Sequence, residues 1–258
     1  MLTADQKTAF DRDGYLILPR LIPAELVRDL RAAAETMAAA EPEATRRTWH
    51  ERACFRRAPF RSLLQYAPLV DAAESLIGAD VQLLALDLLM IRAGMGNIGW
   101  HRDVSFVCDK TLSINCGVYL QEMTETNGAL RLVPASHRRA ENPPAGADSL
   151  PGEVWATVPA GSAVFFDAAL WHTAGKNNSA FDRYAVFPYW GHYFVKRMDE
   201  SFTQALPAEL AHSPDARTRQ LFGGGLRPGA LNYHGDGEGY NRERGEAGVD
   251  FAGQPCSP

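Results

Sequence analysis

The chain has 258 residues, of which 46% are hydrophobic and 22% charged, enough to bury a substantial core in one β-rich domain over 1–258. A formal charge of −5 weighs against nucleic acid as the main partner, because phosphate binding draws on a basic surface. No basic and apolar leader opens the sequence and no run reaches the ~20 apolar residues of a membrane span. Four cysteines without a C-x-x-C pair read as reduced thiols in a cytoplasmic protein.

In chain order, Thr3 can cap a first helix that stops at Gly14. Pro23 suits the first turn of a second, in which Leu26, Leu30, Ala33 and Met37 recur at helical spacing, and Pro68 and Gly78 bracket a third. Between the second and third helices, residues 46–61 hold six arginines against the single acidic Glu51, a local charge of +5, interleaved with aromatic side chains. Such a stretch suits a solvated basic surface equally with a cover that receives an anionic group on a substrate. From Val81 onward, short apolar runs recur near 81–92, 98–104, 112–121, 129–133, 154–158, 163–166, 170–173 and 183–195, separated by Gly, Pro and Asn. Eight strands without intervening helices predict a jelly roll, a double-stranded β-helix, over 81–195 with a mainly helical part at 1–80. Residues 223–258 hold 10 of the 22 glycines, which predicts an irregular extension within 196–258, with Tyr233, His234 and Tyr240 on a candidate lid.

The chemistry concentrates on His101-Arg102-Asp103, followed 71 positions later by His172 and 11 further on by Arg183. If residues 97–106 form a strand, His101 and Asp103 share a face and Arg102 points away. A second histidine from a distant strand would complete the two-His, one-carboxylate set that holds non-haem Fe(II) with coordination positions left open. On the strand 112–121, Asn115, Gly117 and Tyr119 share one face. A G-x-G-x-x-G run at Gly94–Gly99 matches a dinucleotide fingerprint, but no helical stripe follows it. No G-x-S-x-G, P-loop or H-E-x-x-H is present, which removes the commonest hydrolase and nucleotide-hydrolysing classes.

These residues, the opening Asp11-Arg12-Asp13-Gly14-Tyr15 stretch and the run Asn127-Gly128-Ala129-Leu130 through Pro134-Ala135-Ser136-His137 resemble the phytanoyl-CoA dioxygenase-like branch of the Fe(II)- and 2-oxoglutarate-dependent oxygenases. Ala135 stands where that family usually has glycine. The resemblance implies that His101, Asp103 and His172 ligate Fe(II), and that Arg183 pairs with the distal carboxylate of 2-oxoglutarate through its planar fork. O2 would be the second co-substrate, with hydroxylation of a small organic molecule and release of succinate and CO2 as the outcome. Asp103 favours oxygen chemistry, since related halogenases carry a small residue there.

Asn115 and Tyr119 are further candidates for lining the co-substrate. Several relatives have a hydroxyl residue two positions beyond the distal histidine; here Ala174 stands there, and Thr173 or Ser179 is the candidate replacement. His137 resembles the family's structural histidine, tethering a loop, and His192 shares strand parity with Trp190, which suits packing. Trp49, Phe55 and Arg56 are candidates for touching the substrate. Two alternatives stay open: a cupin-like metalloenzyme without 2-oxoglutarate, which leaves Arg183 without a role, and a small-molecule-binding relative that has lost turnover.

Overall fold

The computed structural model describes residues 2–96, 98–197, 200–227 and 230. Thr3 and Gln6 cap each other reciprocally, Thr3 Oγ1 accepting from the Gln6 amide at 3.2 Å and Gln6 Oε1 from the Thr3 amide at 2.9 Å, and so start α1 (Ala4–Asp13). Gly14 ends this helix in the left-handed region at φ 79°. A Cβ there would also strike the His137 ring, so two independent constraints demand glycine. β1 (Tyr15–Leu18) follows, then α2 (Ala24–Ala39), β2 (Arg46–Trp49), α3 (Glu51–Cys54), α4 (Ala58–Gln65), α5 (Ala67–Ile77) and β3 (Val81–Ile91). The remaining strands are β4 (Ser113–Tyr119), β5 (Leu130–Leu132), β6 (Val154–Trp155), β7 (Ala163–Asp167), β8 (His172–Ala174) and β9 (Arg183–His192). Three short helices, α6 (Glu200–Ala205), α7 (Ala208–Ala211) and α8 (Ala216–Leu221), come last.

The strands form a six-stranded sheet in the order β1-β7-β4-β9-β3-β2 and a three-stranded sheet in the order β6-β5-β8, with antiparallel pairing throughout. This is the expected jelly roll. Alternation along each strand splits the large sheet into two faces. Leu86, Leu88 and Met90 of β3, Ile114, Cys116 and Val118 of β4, and Tyr184, Val186 and Trp190 of β9 pack in one core with the helices, from Phe10 in α1 to Leu221 in α8. The other face supplies Tyr119, Val164, Phe166 and Ala185 to a second core shared with Leu130 and Leu132 of the small sheet. The interior of the roll lies between the two sheets.

One expectation needs correction, and one strand was not expected. Residues 98–104 form a loop rather than a strand, with one isolated bridge between His101 and His172. Residues 46–49 form an edge strand. Its Arg-Arg-Thr-Trp composition hides it, because an edge strand with one exposed side needs no apolar alternation. The stretch after it carries α3 and α4. The proposed lid residues Tyr233, His234 and Tyr240 lie outside the described residues. No helix among the described residues is long and apolar enough to cross a membrane.

Candidate active site

His172 enters from the start of β8 and is 5% exposed, while His101 and Asp103 come from the loop before β4. The loop is clamped by reciprocal backbone bonds, His101 N to His172 O at 3.0 Å and His172 N to His101 O at 2.9 Å. The Asp103 amide is held in turn by Ala168 O at 2.8 Å. Each imidazole has its Nδ1 at a carbonyl, Gly99 O at 2.8 Å for His101 and Leu170 O at 2.9 Å for His172. That contact assigns the proton to Nδ1 and leaves both Nε2 lone pairs free. Both Nε2 atoms face Asp103 Oδ1, at 3.8 Å from His101 and 3.6 Å from His172. Burial pushes the His172 pKa down, outweighing the nearby Asp103 carboxylate, and so favours the neutral, ligating form. One ligand atom from each of the three residues lies within 4.8 Å of the others, and bonds of about 2.1 Å to an ion at their centre fit that spacing. Asn115 completes the arrangement by donating from Nδ2 to Asp103 Oδ2 at 3.0 Å, while its Oδ1 accepts from the Cys116 amide at 2.9 Å.

The triad opens into a cavity of about 180 Å³ between the sheets, and Arg183, Tyr119 and Asn115 line the same cavity. Arg183 stands at the start of β9 and is 3% exposed. Its Nη1 donates to the Gly128 carbonyl, which belongs to the Asn-Gly turn before β5. Its Nε has no partner among the described residues, and neither does the buried hydroxyl of Tyr119. Burial lowers the Arg183 pKa to about 10, which leaves it cationic at neutral pH. Buried polar groups are almost always satisfied, so two orphaned donors on residues that line one cavity mark a place for an anionic oxygen. The donor set and the orphaned groups together fit a metal at one end and a carboxylate at the other.

Other candidate residues lie elsewhere. Thr173 is buried and its hydroxyl donates to the Ile98 carbonyl; Ser179 bonds to Asn177 Oδ1 at 2.7 Å. Neither lines the cavity, whereas Ala174 does. Trp49 sits on the opposite parity from Arg46 and Thr48 of β2, so it packs into the helical core, with its Nε1 donating to Glu41 at 2.9 Å. Phe55 is buried there as well, 5.4 Å from the Phe202 ring. Arg56 is exposed on the outside. Of the six arginines in 46–61 only Arg46 reaches the cavity; Arg47 pairs with Glu41 at 2.9 Å and Arg61 donates to Phe55 O at 2.5 Å. Thr48, Asp87, Leu89 and Phe187 line the cavity instead. Asp87 carried a signal, as the single charge inside the apolar run of β3.

His137 packs against Gly14, and its neighbour Arg138 donates to the Asp11 carbonyl, which ties the turn after β5 to α1. His192 bonds to Asp80 Oδ1 at 2.9 Å, more than a packing role. The glycine run at 94–99 opens no helix.

A jelly roll with two histidines and one carboxylate facing an internal cavity defines a class, the facial-triad metal proteins. Within it the particular family is settled by sequence: a model of the phytanoyl-CoA dioxygenase (PhyH) family matches residues 10–185, and the chain belongs to that family. An uncharacterized protein of Mycobacterium tuberculosis is 33% identical over 128 residues, 48% of this chain and 45% of the relative, so the chain spans under half of that relative's length. The ectoine dioxygenase of Bordetella bronchiseptica is 30% identical over 229 residues, covering 72% of this chain and 74% of the enzyme. Among solved structures, HygX from Streptomyces hygroscopicus with nickel and 2-oxoglutarate bound superposes with a TM-score of 0.66 at 18% identity, over 77% of this chain and 90% of that one.

Proposed function

We propose that the chain is an Fe(II)- and 2-oxoglutarate-dependent dioxygenase that hydroxylates a small organic molecule, acting as one domain in the reducing environment of the cytoplasm. The observation that carries this reading is the pairing of two ends of one cavity: two Nε2 atoms converging on Asp103 at one end, and the orphaned Arg183 Nε and Tyr119 hydroxyl at the other. His101, Asp103 and His172 are the metal ligands, and Asn115 positions the Asp103 carboxylate. Arg183 and the Tyr119 hydroxyl receive the distal carboxylate of 2-oxoglutarate, the tyrosine replacing the hydroxyl residue absent at Ala174. Bound Fe(II), with 2-oxoglutarate and O2, supplies the oxidising chemistry and yields succinate and CO2. Phe166, Leu130 and Phe187 wall the cavity with apolar surface, which excludes water and strengthens the charged contacts. The ectoine dioxygenase relative and the 2-oxoglutarate in HygX support the same reading.

The test is anaerobic addition of Fe(II) and 2-oxoglutarate, with a weak visible charge-transfer band expected, then admission of O2 and measurement of succinate. His101→Ala and His172→Ala should each lose the band and turnover while remaining folded, because the two apolar cores hold the fold. A band of parental strength in either variant would refute the ligand assignment.

A further inference from the structure

The β2 and β3 wall of the cavity carries charge that the metal and 2-oxoglutarate do not use. Fe(II) and Arg183 together balance Asp103 and the two carboxylates of 2-oxoglutarate. Two charged side chains then remain in the lining, Arg46 and Asp87. They occupy opposite ends of the wall. Arg46 pairs in register with Ile91, itself opposite Arg183, whereas Asp87 lies four residues back along β3, opposite Phe187. At ~3.3 Å per residue the two backbone positions are about 13 Å apart.

Asp87 is braced from outside the cavity. Its Oδ1 lies 2.7 Å from His50 Nδ1, and a Glu51 carboxylate oxygen lies within 4.8 Å. Its Oδ2 has no hydrogen-bond partner among the described residues, and 34% of the side chain is exposed. Burial, only partly offset by His50, raises the Asp87 pKa, and the Glu51 charge pushes the same way. The spot is therefore short of positive charge. A small cation donating a hydrogen bond would satisfy the free oxygen and relieve that repulsion together.

We propose that Asp87, positioned by His50, anchors a protonated amine of the substrate, so that the enzyme takes an ammonium-bearing small molecule. The inference rests on the oxygenase reading above, and it reverses the anionic substrate that the arginine-rich segment suggested. A second metal is the competing occupant, and geometry speaks against it. Bonds of about 2.1 Å place adjacent ligand atoms about 3.0 Å apart in an octahedral shell and about 3.4 Å apart in a tetrahedral one. The 3.6 and 3.8 Å separations of the triad leave room for an ion, while 2.7 Å between His50 and Asp87 is a hydrogen bond.

Three matched probes test the anchor by ligand-observed NMR on the Ni(II) and 2-oxoglutarate-loaded protein: cyclohexylammonium, cyclohexanol and cyclohexanecarboxylate. Cyclohexylammonium should bind about tenfold more tightly than either other probe, the scale of one charge-assisted hydrogen bond. Asp87→Asn should abolish this preference and His50→Ala should reduce it. Neither variant should change the 2-oxoglutarate affinity read from the Fe(II) charge-transfer band. Tighter binding of the carboxylate, or an ammonium preference that survives Asp87→Asn, overturns the proposal. So does a second equivalent of Mn(II) bound by the parent and lost in Asp87→Asn, which would make the site a metal site. The two readouts separate the claims: no band in the parent counts against the oxygenase reading, and the probe titration alone decides the anchor.

Discussion

On the proposed function, Arg183→Ala removes the cation from one end of the cavity and leaves the buried co-substrate carboxylate with no charged partner beside the Tyr119 hydroxyl. Arg183 is 3% exposed and its Nε has no partner among the described residues, so only the Nη1 bond to Gly128 draws on its binding capacity there. Removing one member of such a charged, desolvated pair costs about 2–5 kcal/mol, much of it from the group left unpaired. At about 1.4 kcal/mol per factor of ten, 2-oxoglutarate affinity should fall between about 30-fold and about 4,000-fold. Arg183→Lys should fall between parent and alanine, since a lysine keeps the charge and loses the fork. The Gly128 carbonyl also loses its donor, at a cost of about 1–3 kcal/mol if water cannot replace it. Thermal melting must therefore show a folded variant before affinity is read. Anaerobic titration of the Fe(II) charge-transfer band gives the constant directly, and Fe(II) binding itself should be unaffected because Arg183 is remote from the triad. An unchanged 2-oxoglutarate affinity in Arg183→Ala would place the anchor elsewhere and favour a cupin-like enzyme without this co-substrate.

Asn115→Ala should weaken Fe(II) binding by about 10- to 100-fold, the usual effect of losing a group that orients a ligand, with little change in Tm; unaltered metal affinity on equilibrium dialysis would remove its positioning role. Ala135 adopts φ 61° at an exposed position, so Ala135→Gly should relieve left-handed strain and stabilise by about 0.5–1 kcal/mol after the entropic cost of glycine, roughly 2 °C in Tm by calorimetry. A lower Tm would show that the turn is not strained. The hydrogen bond that His192 donates to the Asp80 carboxylate raises the His192 pKa above its ordinary 6.5, so its stabilisation is complete below pH ~6.5 and is lost as pH rises through the folded value. His192→Gln should accordingly destabilise at pH 6 and converge on the parent by pH 9. For Asp80, burial raises the pKa, but the bond and charge of His192 together with the Asp80 and Tyr193 backbone amides outweigh it and the net shift is down, so that contribution is lost only at acid pH. Parallel stability curves for the two proteins from pH 6 to 9 would contradict the ion pair.

Strand period is local covalent geometry, and residues governed by it alone were legible in the sequence. Asn115 and Tyr119 share the inner face of β4, and Arg183 and Phe187 that of β9, because alternate side chains must point to the same side. The helix limits at Thr3, Gly14 and Gly78 followed from capping and backbone freedom, which are also local. His101 and Asp103 come together by a route that strand period does not describe. They meet His172 because backbone bonds to residues 168 and 172 hold their loop, not because they alternate on a strand. Ligand sets recur in sequence, whereas the scaffold that aims them is made of contacts between distant segments. Trp49 and Phe55 show the limit most directly: an aromatic side chain suits a core and a pocket equally well, and only the covering of that sheet face by α4, α6 and the turn after α8 decides which it enters. Asp87 shows the converse. Its charge stood out in β3, but its place beside His50 and the cavity depends on β2 joining the sheet edge, a long-range pairing that no local preference of Arg-Arg-Thr-Trp announces.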